Sequence, residues 1–520
     1  MDTGSPKPSV EAQPAQDRTA FTSAKGLAGE FLFAAIFLGS LVAFYSFVWV
    51  PNHNIGGPIL TARLAQALGD SFSDYVSYFP PAEHVWFGIA VRLSDITSIT
   101  ADRVAILMTG VAILFSSALA YRIRKQTVGA TPLWFVMSAL ALTVLPMLVK
   151  NIFGLTAHLV VLGLWPYLIL RLCDGDDTRI GWKLRCVVGL WLGATLTLRY
   201  IYSLIALTVE IADALASRRF MVFFRIENLI AGGIVALYLF FWLVLDPSQR
   251  EVIGAIVSAV DGNLASAKTS VGYAATYFAT ALIFVAVTFV VKLPKRPMAI
   301  GLAMVVGGIT AAWIQQRWYE HHLFPVSVAY VAWLWMIHRD LKPVGLAVMA
   351  LIVAQPFVKH FSLAPTLQSY GELDRAMDEG GLSVTGKRVG ILNMHPSPLN
   401  QYLAREGAWR WNGGINNAYV AAELKPFDNA ENADKRVPQV KLEDPGRAML
   451  HDEMLTLWED HPPEMLILDE RTSWPLRHID VRWTEVFAND HRFSAIMANY
   501  RPVLRHKSEN LDFTVYERKD

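Results

Sequence analysis

Two stretches of the chain place ionisable side chains where apolar ones would be cheaper. The first is QQRWYEHHLFP at residues 315–325, set between two long apolar runs. Arg317 presents a planar fork of donors that matches phosphate oxygens. Tyr319, His321 and His322 can donate hydrogen bonds, and either imidazole can carry charge. Glu320 can bond a sugar hydroxyl or neutralise Arg317. The bland alternative is an aromatic and basic anchor at a membrane interface. The second stretch is GATLTLRYIYSLIAL at residues 193–207, where Arg199 interrupts a hydrophobic segment. An arginine there either snorkels to the surface or lines a cavity as an anion ligand. A helix broken beside it would leave backbone N–H groups free for the same anion.

A third group of candidates lies between the first and second apolar runs: His53, Asn54, Asp70, Asp74, Tyr78, Glu83 and His84. Transfer of a group to a hydroxyl requires a carboxylate to take the proton. Asp74 leads here because the Pro80–Pro81 break can turn it back toward the bilayer, with Asp70 second. A solvated loop acid is the plain alternative for each. His321–His322 is a possible metal fragment, but no Asp-x-Asp and no further histidine pair accompanies it, so no metal is assigned.

These residues need elements to hold them. The chain has 520 residues, 53% of them hydrophobic and 12% aromatic, and a formal net charge of +1. That composition describes an integral membrane protein and offers nothing to nucleic acid. Two cysteines, Cys173 and Cys186, flank one basic loop and form neither a zinc pattern nor a disulfide framework. Residues 1–28 are polar and read as a disordered cytoplasmic tail. Eleven apolar runs follow between residues 29 and 360, the shortest being the pair on either side of Arg199. The basic loops at 122–125, 173–186, 217–225, 292–296 and 338–342 all fall on one side of the bilayer. That places the N-terminus inside. Outside lie the loop 51–102, the segment 315–321 and everything after about residue 360. GGPILTARLAQALGD, in the outer loop, has near-helical apolar spacing and reads as an amphipathic helix lying on the membrane surface. Residues 361–520 are polar, with short buried strands expected at GKRVGILNM, EMLILDE and LDFTVYER and a helix at RFSAIMANYRPV, which makes a small extracytoplasmic α/β domain.

Three motifs together resemble the GT-C superfamily of glycosyltransferases, in particular the bacterial branch related to protein mannosyltransferases and aminoarabinose transferases. DYVSYFPPAEHVWFGIAVRL is similar to that branch's acidic stretch leading into Pro-Pro and a helix. GLWLGATLTLRYIYSLIAL is similar to its Gly-rich helix ending in Thr-Lys/Arg. QQRWYEHHLFPV is similar to its Gln-x-Lys-Gly-Trp/Phe-x-Tyr-His pattern, with Arg317 and Glu320 as departures. A first-loop aspartate of the family falls at Asn54, and an amide cannot act as a base at neutral pH.

The resemblance implies a polytopic α-helical GT-C-like fold of about eleven membrane segments in a bacterial inner membrane, with a periplasmic C-terminal domain. It implies a polyprenyl-phosphate sugar as donor and inversion at the anomeric carbon. The acceptor would be a glycan, lipid or protein. Arg199, Arg317, Tyr319 and His322 would hold the donor phosphate. His53, Asn54, Tyr78, Glu83, Glu320 and His321 would contact sugar, and Asp74 or Asp70 would act as base. A flippase for lipid-linked sugars, or a non-catalytic scaffold of the same fold, are the alternatives.

Overall fold

The structure is a computed structural model. It describes Gly39 and residues 53–68, 81–148, 152–173, 179–245, 267–290, 295–315, 318, 320–337, 364–393, 399–412, 445–470, 483, 487, 489–508 and 511–519. Its helices are α1 (His53–Leu68), α2 (Pro81–Thr97), α3 (Ala101–Thr127), α4 (Pro132–Leu148), α5 (Thr156–Cys173), α6 (Trp182–Leu196), α7 (Ser203–Ser217), α8 (Ile226–Leu239), α9 (Ala267–Val290), α10 (Lys295–Gln315) and α11 (Glu320–Ile337). A C-terminal unit adds α12 (Ala364–Glu379), β1 (Arg388–Leu392), α13 (Leu399–Glu406), β2 (Trp409–Arg410), α14 (Pro445–Asp460), β3 (Met465–Asp469), α15 (His491–Met497), β4 (Tyr500–Lys507) and β5 (Asp512–Arg518).

Among the described residues, six helical segments are long and apolar enough to cross a membrane, not eleven. The difference has particular causes. The first and last expected spans lie outside the described residues. Helix α4 has 17 residues and α6 has 15, and 15 residues rise only about 22 Å, short of a hydrocarbon core of about 30 Å. Helix α11 begins with Glu320, His321 and His322, which dilute its apolar run.

Helix α5 is the hub. Its side chains are almost all buried, with α3, α6 and α11 packed around it. Two core tryptophans have their indole N–H groups satisfied: Trp165 donates to Ser138 at 2.7 Å, and Trp191 donates to Ser116 and Leu162 O at 3.0 Å. Helix α6 meets α8 through two glycines one turn apart. A Cβ on Gly189 would stand 2.6 Å from the Glu227 carbonyl oxygen, and one on Gly193 3.1 Å from Ala231 Cα. Small residues at this spacing let two helices approach closely.

The bundle has two chemically different ends. At one, Arg179 of the loop before α6 donates to Thr127 O at the end of α3, and the basic termini of α5, α6, α7 and α10 converge. At the other, Asp102 in the first turn of α3 is buried against Arg405 of α13, 3.0 Å away. Four of the five expected basic loops border the first end, and the C-terminal unit docks at the second.

That unit is a five-stranded sheet in the order β2-β1-β3-β5-β4. Strands β2, β1 and β3 run parallel, while β5 is antiparallel to β3 and β4. Three of the strands stand where the sequence places them, but the helix expected over RFSAIMANYRPV ends at Met497 as α15, and its second half, from Tyr500, is strand β4. Strands β2 and β4 were not anticipated. Pro502 in edge strand β4 sits at the irregularity between Pro502 and Leu504, a position where the missing N–H costs no ladder bond. Helix α1 exists as expected but is not a surface helix. Ile55, Ile59, Leu60 and Leu64 are all buried, and a Cβ on Gly56 would lie 2.6 Å from Asn400 O. Gly56 thus admits the backbone of α13.

Candidate functional site

The chain reverses at Arg199. Thr195 and Thr197, in the last turn of α6, return their hydroxyls to carbonyls of the preceding turn, to Leu192 at 3.0 Å and Ala194 at 2.7 Å. Such bonds compete with the regular ladder and bend helix ends. Arg199 then leaves helical geometry (φ −150°, ψ 81°), and a single 3-10 turn, Tyr200–Tyr202, starts α7. The expected break beside the arginine is therefore present.

The side chain of Arg199 points among neutral partners. Its Nε donates to Thr156 Oγ1 at 3.2 Å, at the start of α5. Its Nη1 donates to Gln315 Oε1 at 3.4 Å, at the end of α10. Tyr202 lies beside both Arg199 and Gln315, and its hydroxyl donates to His322 O at 3.1 Å. Residues from α5, the α6–α7 turn, α10 and α11 thus meet at one point. Among the described residues Arg199 forms no ion pair at 4 Å or less.

Glu83, in the first turn of α2, completes the cluster. It is 3% exposed. Burial pushes its carboxyl up to about 8, against the opposing pull of the Arg199 charge and the hydrogen bond from Thr156. Thr156 therefore stands between the two: it accepts from Arg199 and lies against Glu83. Beside Glu83, the Ala82 N–H reaches the Tyr238 hydroxyl at 3.5 Å. Tyr238 and Tyr200 both pack on Trp242, with ring centroids 5.6 and 6.1 Å away. Trp242 lies in the π-helical turn Phe240–Leu245 that continues α8, whose neighbours Leu237, Phe240, Phe241 and Val244 are exposed. An apolar outer face, a half-exposed aromatic wall and a half-buried arginine follow one another in space.

The opposite end handles arginine differently. Arg185, Glu227, Arg171, Glu210, Arg225, Asp213 and Arg296 form a chain of alternating charge. The Arg185–Glu227 contact is 2.8 Å, and Glu227 also pairs with Arg171. Arg171 lies 3.6 Å from Glu210. Arg225 is 2.9 Å from Glu210 and 2.6 Å from Asp213. Arg296 closes on Asp213 at 2.5 Å. Tyr167 adds a hydroxyl to Glu210 at 2.6 Å. Every carboxylate there holds two arginines, whereas among the described residues Arg199 holds no carboxylate within 4 Å.

The remaining expected site residues divide as follows. His321 and His322 sit in the first turn of α11 with their rings 4.3 Å apart, and His322 is buried beside Tyr202. His53 and Asn54 open α1 and Glu320 opens α11, but their side chains lie outside the described residues, as do Asp70, Asp74, Tyr78, Arg317 and Tyr319 entirely. Within the 315–321 segment the anchor is Trp318, which the sequence reading passed over. It is buried, donates to Ser270 at 2.7 Å and stacks on Tyr273 at 5.7 Å. Its φ of 50° is strained for an aromatic residue by about 1–3 kcal/mol. Thr156, Gln315, Tyr202 and Tyr238 were also missed, since neutral residues at helix ends carry no signal of their own. The charge chain did have one: Glu210, Asp213 and Glu227 are acids inside or bordering apolar runs. His158 is a fully buried structural histidine. Its Nδ1 accepts from Gly154 N–H at 3.0 Å and its Nε2 bonds Leu142 O at 2.8 Å, which fixes the tautomer. Among the described residues, no three His, Cys, Asp or Glu side chains gather as metal ligands.

Compared with known proteins, no family model matches this chain and no curated protein matches it.

Proposed function

We propose that the protein is a membrane glycosyltransferase of GT-C type that moves a sugar from a polyprenyl-phosphate donor to an acceptor hydroxyl. The observation that carries this reading is Arg199: a charge held in place by two neutral hydrogen-bond partners and left without an ion pair among the described residues. Such a group is prepared for an external anion. The apolar, aromatic-edged face of α8 beside it suits a ligand with a phosphate head and a hydrocarbon tail.

In this reading the acceptor oxygen attacks the anomeric carbon as the bond from that carbon to the phosphate oxygen breaks. The bonding pair leaves with the phosphate, where Arg199, joined by Arg317, Tyr319 and His322, stabilises the developing charge. Asp74, with Asp70 as reserve, takes the acceptor proton. Glu83 stands against Arg199 and not merely against sugar. The basic end faces the cytoplasm by the positive-inside rule, so the Arg199 cluster and the C-terminal unit lie on the periplasmic side. The sugar and the class of acceptor (glycan, lipid or protein) stay open.

The test is transfer of radiolabelled sugar from polyprenyl phosphate to a membrane acceptor by purified protein. Arg199→Ala should lower kcat/KM by about 100-fold or more, the usual cost of one charge-stabilising group, and Asp74→Asn should abolish transfer. Wild-type rates in both variants refute the site. Lipid-linked sugar that changes leaflet without product would make the protein a flippase instead.

A further inference from the structure

The C-terminal unit carries an aromatic surface that the transfer chemistry does not use. Strand β2 is an edge of the sheet, and its sequence Trp409-Arg410-Trp411 puts both indoles on one face. Their rings lie 6.3 Å apart and nearly parallel, at 20°. Trp411 is buried while Trp409 is 38% exposed, so the outer indole meets solvent beside a buried one. Arg388 on β1 is in register with Trp409, and its guanidinium lies 5.7 Å from the centre of the Trp411 ring. Glu464 stands 3.6 Å from Arg388 Nε and accepts the Arg388 backbone N–H at 2.8 Å. A flat, open indole bordered by a planar cation and a planar carboxylate is therefore held rigidly on two strands.

We propose that Trp409, Arg388 and Glu464 form a binding platform for an uncharged hexopyranose chain. The open indole face packs on the axial C–H face of a sugar ring, which buries apolar surface without desolvating its hydroxyls. The guanidinium and carboxylate at the rim then bond hydroxyls as donor and acceptor. Opposite charges at the rim cancel, which favours a neutral ligand over an acidic one. The platform also has a position that makes sense. Arg63 of α1 donates to Ala408 O at 3.5 Å, so β2 stands beside the outer-loop helices, on the same end of the bundle as Arg199. That it receives a glycan acceptor rests on the transferase reading; that it binds glycan does not.

The experiment uses full-length protein in detergent micelles and linear oligosaccharides of glucose, galactose and mannose, six or seven units long. Binding is followed by saturation-transfer NMR and calorimetry. At least one of the three should bind wild type, with saturation strongest on ring C–H protons. Trp409→Ala should weaken it about tenfold, the loss expected of one aromatic stack. Trp409→Phe, which keeps a ring against Trp411, should stay within about threefold. Arg199→Ala should leave this binding unchanged, and Trp409→Ala should leave binding of polyprenyl phosphate unchanged, so failure of one reading is visible apart from the other. No binding to wild type by any of the three sugars, or equal binding by Trp409→Ala, overturns the proposal.

Discussion

Glu227→Gln is the most informative single change in the membrane portion, because it preserves shape while removing one charge from the alternating chain. Glu227 is fully buried and accepts from both Arg171 and Arg185. At 2.8 Å and an effective dielectric of about 20, the Arg185 attraction alone is about 6 kcal/mol. Desolvation of the carboxylate, several kcal/mol, offsets much of that, and glutamine keeps one acceptor oxygen. What remains is the cost of leaving buried arginines without their counter-charge, about 3–5 kcal/mol. The chain has four arginines and three carboxylates, so its two ends are not equivalent to its middle. Removing a carboxylate takes the group from one excess positive charge to two. Removing a terminal arginine makes it neutral. Arg296→Met removes two hydrogen bonds to Asp213 but leaves it paired to Arg225 at 2.6 Å, and should cost only about 1.5–3 kcal/mol because no buried charge is left unpaired. Equilibrium unfolding in mixed micelles with increasing SDS, read by circular dichroism, measures both. If Glu227→Gln lies within about 1 kcal/mol of wild type, or Arg296→Met costs as much as Glu227→Gln, the reasoning about unpaired buried charge fails.

Two further outcomes follow from other contacts. Glu83 is neutral below its raised value of about 8, and above it the carboxylate competes with phosphate for Arg199. Donor affinity, measured by lipid-phosphate titration, should therefore fall as pH rises through about 8, and Glu83→Gln should remove that limb. The same shift has a stability sign. A carboxyl raised above its unfolded value of about 4.3 binds more protons when folded, so its contribution is complete below that pH and is lost as pH climbs through the folded value. Arg405→Met strips the partner from buried Asp102, 3.0 Å away, and should weaken docking of the C-terminal unit by about 3 kcal/mol. Faster hydrogen exchange across α13, with the sheet still protected, is the expected result.

The sequence was most legible where charge or period stood out against its surroundings. Arg199 was conspicuous because a cation in an apolar run is expensive, and the break beside it followed from two half-length runs. Strands β1, β3 and β5 were clear because short apolar runs followed turn residues. The partners of Arg199 were not legible: Thr156 and Gln315 are 43 and 116 residues from it, and nothing local tells a threonine at a helix start from any other. Glu83 could be named as polar, yet its burial depends on how α2 packs, which no local pattern encodes. The helix over GGPILTARLAQALGD was legible from its period but its burial was not, since a glycine such as Gly56 that admits a neighbouring backbone carries no mark of it in the sequence.

The two ends of the bundle are joined by α7, and that joint gives the charge chain a purpose beyond stability. Tyr202, just before α7, lies beside Arg199 and donates to the His322 carbonyl. Two to three turns on, Glu210 and Asp213 enter the alternating chain. Tyr167 of the hub helix reaches Glu210, and Arg296 grips Asp213 through both Nε and Nη2, at 2.5 and 2.9 Å. A helix so held can neither rotate nor slide without separating buried charges. Apolar contacts with lipid or with other helices would tolerate such movement at much lower cost, because one greasy surface substitutes for another. Fixing α7 at its far end therefore fixes the direction in which Arg199 and Tyr202 project at the near end. Preorganisation of this kind is what an anion site requires, since a donor that has to be dragged into place loses its advantage at the moment charge develops.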